Sequence, residues 1–303
     1  MLNKFQGCLL GLACGDAVGV TAEFKPRGSF DPVTAMVGGG PFGLKAGEWT
    51  DDTSMALCLA ESLLEKSGFD ARDQIERYLR WWKEGYNSST GVCFDIGTTV
   101  RAALERFEQT GDSFSGSRHP QTAGNGSIMR LAPVPMAYWK DIDKAIEYSA
   151  ASSKTTHGTQ EAVDACRLFG VMIVLTLMGR PKEEILFSTE TFLDPKVLAP
   201  KIRDIQAGTY RNKSEAEIFG SGYVVKSLEA ALWCFYHSQT YEQAVLKAVN
   251  LGDDADTTGA VVGQLAGAYY GREEIPPAWL NIIVTRETIQ SQAEKLFESE
   301  MMD

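Results

Sequence analysis

Two short acidic clusters, Thr50-Asp51-Asp52-Thr53 and Asp253-Asp254-Ala255-Asp256-Thr257, lie far apart in the chain, and each opens a segment whose apolar spacing reads as a helix. A carboxylate at a helix start has an ordinary role, because it accepts hydrogen bonds from free amides and sits favourably against the dipole. Asp51 beside Asp52, however, brings more negative charge than one cap uses, and Asp254 and Asp256, two positions apart, cannot share a helical face. Convergence of both clusters on one point accounts for the pattern better. Close carboxylates raise one another's pKa unless cations lie between them, and an all-oxygen set of Asp and Thr donors suits hard ions. The chemistry expected is therefore a site for magnesium or manganese, and not for zinc.

The elements that must hold such a site are helical. Apolar residues recur at three- and four-residue spacing in Met55, Leu59 and Leu63, in Ile75, Tyr78, Leu79 and Trp82, and in Val100, Leu104 and Phe107. The same period runs through 159–177, 224–236 and 241–249, the last with Thr240 and Gln243 spaced as a capping box. Alternating strand-like runs are nearly absent, the segment Val33 to Val37 being the weakest exception. The expectation is an all-α chain of roughly a dozen helices. Glycine recurs at every fourth position in Gly7, Gly11, Gly15 and Gly19, and again in Gly259, Gly263, Gly267 and Gly271. Each glycine inside a helix costs about 1 kcal/mol against alanine, so both rows predict buried ridges where backbones approach closely. The second ridge starts directly after Asp256 and Thr257 and would fix their direction.

Two loops add chemistry. Gly38-Gly39-Gly40-Pro41-Phe42-Gly43 leads toward the first acidic cluster and reads either as a mobile flap or as a surface turn. Gly124-Asn125-Gly126-Ser127 offers unobstructed amides ahead of a helical start at Ile128, a turn suited to phosphate. It lacks the lysine of a nucleoside-triphosphate loop and the preceding strand of a dinucleotide fold.

Composition narrows the function further. A net charge of −11 argues against a phosphate-tracking nucleic-acid surface, which needs clustered Lys and Arg. Six scattered cysteines without paired metal spacing point to a reducing cytoplasm, and the longest apolar run, Leu168 to Met178, is too short to span a membrane. Only three histidines occur, which favours carboxylate chemistry over a histidine-based triad or metal site. His119 and His237 read as surface residues, and Trp81 and Trp82 as packing. His157, after Thr155-Thr156, reads alone as a helix cap, and Tyr223, between flexible and apolar neighbours, leaves core packing open.

Taken in order, GDAVGVTAEF (15–24), WTDDT (49–53), FDIGTT (94–99), GNGSIMRLAP (124–133), THG (156–158), GSGYVVKSLEAALW (220–233) and GDDADTTGA (252–260) resemble the ADP-ribosylglycohydrolase family, and most of all its bacterial dinitrogenase-reductase-activating branch. The resemblance implies one compact, orthogonal multi-helix domain over 1–303 with a central binuclear metal cleft. It implies two divalent cations, Mg2+ or Mn2+, on Thr50, Asp51, Asp52, Asp254, Asp256 and Thr257. Glu23 and Asp95 match the acids beside the scissile bond and the ribose. Gly124, Asn125, Gly126, Ser127 and Met129 match a diphosphate and ribose loop, His157 a ligand contact, and Tyr223 a ring that stacks on adenine. Asp253 is an additional acid with no counterpart. The activity implied is removal of ADP-ribose from protein side chains, first of all from arginine, with free ADP-ribose as product. Other readings are cleavage of ADP-ribosyl-serine or another ADP-ribose derivative, and a capture or immunity protein against an ADP-ribosyltransferase. A soluble cytoplasmic monomer without nucleic-acid or membrane partners is expected.

Overall fold

The computed structural model describes residues 1–299. Among them fourteen α-helices follow one another: α1 (Leu2–Gly19), α2 (Asp51–Lys66), α3 (Ala71–Glu84), α4 (Thr98–Thr110), α5 (Pro133–Ala137), α6 (Ile142–Lys154), α7 (Gln160–Leu177), α8 (Lys182–Phe187), α9 (Pro200–Gln206), α10 (Val224–Tyr236), α11 (Tyr241–Val249), α12 (Ala255–Tyr270), α13 (Pro277–Ile282) and α14 (Arg286–Glu298). No β-strand forms among the described residues; Gly39 pairs with Leu44 in an isolated bridge, and Val33 instead bonds the side chain of Asn250.

The two glycine rows face each other. A Cβ placed on Gly7, Gly11 or Gly15 would lie 2.1, 2.4 and 2.1 Å from the carbonyl oxygens of Gly267, Gly263 and Gly259 respectively. Helices α1 and α12 thus run antiparallel with their backbones in contact, closer than any side chain allows. Gly19 meets the Cα of Asp256, where a Cβ would come within 2.3 Å, so the seam runs directly into the acidic cluster. Gly271 departs from the row expected for it: at φ +87° it ends α12 and packs on Asn3. The interior of α1 is buried along its length. By length and composition the segment Leu2–Ala22 would pass as a membrane span, yet 94% of its apolar window is covered by the rest of the protein.

Local signals behave as their chemistry dictates, with one change. Thr240 Oγ1 accepts from Gln243 N as expected, but the Gln243 side chain accepts from Gln239 N and not from the cap's own amide. Trp81 is buried and Trp82 packs partly buried against the core, while His119 and His237 are exposed. Gln264 of α12 accepts from Ala132 N and donates to the carbonyls of Ile128 and Met129, which ties the glycine loop and its exit to the seam.

Candidate active site

The N-termini of α2 and α12 come together at the end of the seam, and acids from another part of the chain cap both, although Thr257 N also bonds Asp256 Oδ1 at 2.7 Å. Asp16, on α1, accepts from Thr50 N (2.9 Å) and Thr53 N (3.1 Å), as well as from the Thr53 hydroxyl (2.6 Å). Glu23, just beyond α1, accepts from Ala255 N (2.8 Å) and Asp256 N (3.2 Å). The first segment of the chain therefore accepts from two amides at the start of each helix. That leaves Asp51, Asp52, Asp254 and most of Asp256 available for something else.

Those acids form two linked groups. Carboxylate oxygens of Asp16, Asp52 and Asp256 lie within 4.8 Å of one another, and so do oxygens of Glu23, Asp254 and Asp256. Asp256 belongs to both groups. Thr50 Oγ1 sits 3.0 Å from Asp16 Oδ1, 3.0 Å from Asp52 Oδ2 and 3.2 Å from Asp256 Oδ2, and Thr257 Oγ1 lies 3.3 Å from Asp52 Oδ2. Two ionised carboxylates at such distances repel by about 4 kcal/mol at an effective dielectric of 20. Burial and this repulsion push Asp16 and Asp254 up to about 7, Asp95 up to about 9, and Asp51, Asp52 and Glu23 well above the usual range. The buried Oδ1 of Asp52 has no hydrogen-bond partner. An orphaned carboxylate oxygen among crowded acids fits divalent cations with oxygen preference, because cations remove both the repulsion and the unmet lone pairs.

Above this floor opens a cleft of about 360 Å3 lined by Glu23, Asp51, Asp95, Gly124, Asn125, Gly126, Met129, His157, Asp254, Asp256 and Thr257, among others. Thr50 and Asp52 lie beneath it, buried. The glycine loop is held from three sides. His157 is buried against it: a Cβ on Gly126 would come within 2.8 Å of the ring, and one on Gly124 within 3.2 Å. Burial, then the charge of Arg130, pushes His157 down to about 3, so the ring is neutral, and Nδ1 bonds the Thr156 hydroxyl at 2.9 Å. Its role as a helix cap is excluded, since Thr159 caps α7. Arg130 reaches back to the Gly126 carbonyl and to Thr156 Oγ1. Asn125 lines the cleft and donates to Asp254 Oδ2 at 2.9 Å, linking the loop to the acids.

Besides Thr50 and Asp52, two further expected residues sit outside the cleft lining. The Ser127 hydroxyl points inward, where it accepts from Ser153 Oγ and from the Cys166 thiol. Tyr223 is joined to Gly124 by an isolated bridge but faces an adjacent cavity of about 560 Å3 that it shares with Arg118, Glu161 and Lys201. Its hydroxyl donates to Glu161 (2.6 Å) and accepts from Lys201 (2.7 Å). The additional acid Asp253 is exposed and left-handed at φ +57°, and its backbone pairs with Phe24 and Lys25. Three residues escaped the sequence reading: Asp16, whose one signal was a charge within a glycine and apolar helix, and Arg130 and Gln264, whose partners are distant in sequence.

Residues 1–303 match the family model for ADP-ribosylglycohydrolase. The chain belongs to the ADP-ribosylglycohydrolase family. Members of this family depend on metal ions, in keeping with the crowded acids. The chain is 46% identical over 297 residues to the ADP-ribosylarginine hydrolase Tri1 of Pseudomonas putida strain GB-1, covering 98% of this chain and 78% of that protein. It is 32% identical to the ADP-ribosyl-[dinitrogen reductase] glycohydrolase of Rhodospirillum rubrum, with 92% of this chain and 90% of that one covered. A solved ADP-ribosylglycohydrolase-related protein complex superposes with a TM-score of 0.88 at 42% identity, over 99% of both chains.

Proposed function

We propose that this protein is a metal-dependent hydrolase that removes ADP-ribose from modified arginine side chains and so reverses mono-ADP-ribosylation. The observation that carries the reading is the pair of acidic groups sharing Asp256 on the floor of a cleft whose wall is the Gly124–Gly126 loop; the names of the relatives at 46% and 44% identity supply the arginine linkage. Two divalent cations, Mg2+ or Mn2+, would be held by Thr50, Asp51, Asp52, Asp254, Asp256 and Thr257, with Asp16 joining the set from α1. Such ions, when bound, supply a template for ribose hydroxyls and lower the pKa of a water ligand.

The chain's own residues do the rest. The backbone of Gly124 and Gly126 would cradle the diphosphate, the Asn125 amide being committed to the Gly222 carbonyl, and Met129 and the neutral His157 would close the ribose side and exclude water. Asp95 and Glu23 line the cleft and hold or move protons at the ribose and the attacking water. An arginine leaving group already carries its proton, so the demand for acid catalysis is smaller than for an alkoxide. Tyr223, in the neighbouring cavity, offers its ring to the adenine. Free, unpaired cysteines and the net charge of −11 support action as a soluble cytoplasmic monomer without nucleic acid.

The test is release of free ADP-ribose from matched peptides carrying ADP-ribose on arginine or on serine. Release from arginine, abolished by chelator, is expected. Release from serine alone would move the assignment to that linkage, and binding of ADP-ribose without release from either would make this a capture protein.

A further inference from the structure

The cleft carries an aromatic row that its chemistry on ribose and phosphate does not use. Phe24 directly follows Glu23, lines the cleft, and is 63% exposed. Its φ of +59° places a bulky side chain in the left-handed region, which is sparsely populated for such residues and persists only where surroundings impose it. The imposition is visible. Phe24 N donates to Asp253 O at 2.7 Å and Asp253 N to Lys25 O at 2.8 Å, which locks the segment carrying Glu23 to the one carrying Asp254.

The ring of Phe24 meets that of Phe42 edge-on at 6.3 Å and 73°, and Phe42 meets Phe94 at 5.4 Å and 53°. Phe94 in turn precedes Asp95, which is also left-handed at φ +58°. The row therefore runs from Phe24, which lines the cleft, through Phe42 at the tip of the Gly38–Gly43 turn to Phe94, the residue before Asp95. Backbone contacts hold that turn: Gly39 and Leu44 exchange hydrogen bonds, and the Thr21 hydroxyl donates to Gly38 O at 2.9 Å. An exposed phenylalanine held by a strained backbone beside acids is not explained by packing, since its outer face touches nothing that buries it.

We propose that Phe24, backed by Phe42 and Phe94, recognises the side chain from which ADP-ribose is removed, taking the guanidinium plane and aliphatic stem of the modified arginine against its ring. The assignment rests on the arginine reading above and adds what selects that linkage. A guanidinium is planar, delocalised and weakly hydrated, and it stacks on aromatic faces, while its methylene stem packs on apolar surface. Serine offers neither group. The ring lines the cleft beside Glu23 and is open to solvent, a position that a side chain leaving the cleft would pass.

The experiment compares Phe24→Leu, Phe24→Trp and Phe24→Gly with the natural protein, in Mn2+, on an ADP-ribosyl-arginine peptide, alongside calorimetric binding of free ADP-ribose. Leu keeps apolar volume without a π face, Trp keeps the face, and Gly suits the positive φ and protects against misfolding as an explanation. The expected result is a loss in kcat/KM of roughly 3- to 30-fold for Leu and at least as much for Gly. Trp should stay within about threefold of the natural protein on the same basis, and ADP-ribose affinity should hold within about twofold in every variant. An unchanged kcat/KM for Phe24→Leu, or a parallel fall in ADP-ribose affinity, overturns the assignment while leaving the arginine reading intact. No cleavage of the arginine peptide by the natural protein would instead remove both.

Discussion

Replacing Gly15 by alanine tests how the seam between α1 and α12 builds the site. The added Cβ would sit 2.1 Å from Gly259 O, 2.6 Å from Gly259 C and 3.1 Å from Ala260 N, where ordinary contact begins at 3.4 Å. All three obstacles are backbone, so no side chain can swing aside, and the helices must part by about 1 Å in an interior packed without slack. Overpacking of this kind costs about 1–3 kcal/mol, and with backbone on the far side the upper end applies. Alanine recovers about 1 kcal/mol of helix propensity. The net expectation is a loss of about 2 kcal/mol, or a fall in melting temperature of roughly 3 °C for a chain of this size. The site should feel the same displacement, because Asp16 adjoins Gly15 and Asp256 lies one turn from Gly259. Mn2+ affinity should drop roughly tenfold or more, the scale seen when groups that orient metal ligands are disturbed. Urea denaturation without metal and calorimetric Mn2+ titration measure the two effects. Gly97→Ala is the control: nothing lies within 4 Å of a Cβ there, and only the preference of the α4 N-cap for glycine over alanine, about 1 kcal/mol, should register, with Mn2+ affinity unchanged. A Gly15→Ala protein as stable as the natural one, or more stable as propensity alone would have it, would refute the seam.

Three further outcomes follow from the site. Asp16 and Asp254 are raised from 3.8 to about 7, so the metal-free fold keeps their full contribution below pH about 4 and loses it as pH rises through 7, where the unfolded chain has already released both protons. The thermal stabilisation given by Mn2+ should therefore grow across that window in differential scanning calorimetry; a stabilisation independent of pH would contradict the crowding of the acids. Asp16→Ala should lower turnover at least about 100-fold and weaken Mn2+ binding, although Asp16 lies outside both acidic clusters, and near-normal turnover at limiting metal would remove it from the set. Gly126→Ala, whose Cβ would meet His157 Cε1 at 2.8 Å, should raise KM about tenfold with less effect on kcat. Steady-state kinetics of the double variant with His157→Ala should recover part of that loss, and strict additivity would show that the ring is not what enforces glycine.

The acidic clusters were legible because their members are neighbours in sequence and their excess charge has no other use at a helix start. The glycine rows were legible for the same reason, since a period of four marks one face. That the rows face each other was not, because spacing specifies a ridge and not its partner. Asp16 shows the limit most plainly: it caps a helix 34 to 37 residues further on, and an isolated acid on α1 carries no local sign of that. Arg130 and Gln264 are similar, each a polar residue in an apolar pattern whose partners lie 26 and about 135 residues away. The half-formed capping box at Thr240 went the other way, as the Gln243 side chain found the amide of Gln239 instead of that of its cap.

The account stands most directly on one titration. Mn2+ is added to metal-free protein while free Mn2+ is followed by its paramagnetic resonance signal and ADP-ribose release from the arginine peptide is followed in the same samples. The prediction is two ions bound per chain, release that rises with their occupancy, and loss of both in Asp256→Ala, whose carboxylate belongs to both acidic groups. Full release in chelator, or an Asp256→Ala protein that binds two ions and turns over normally, would contradict it.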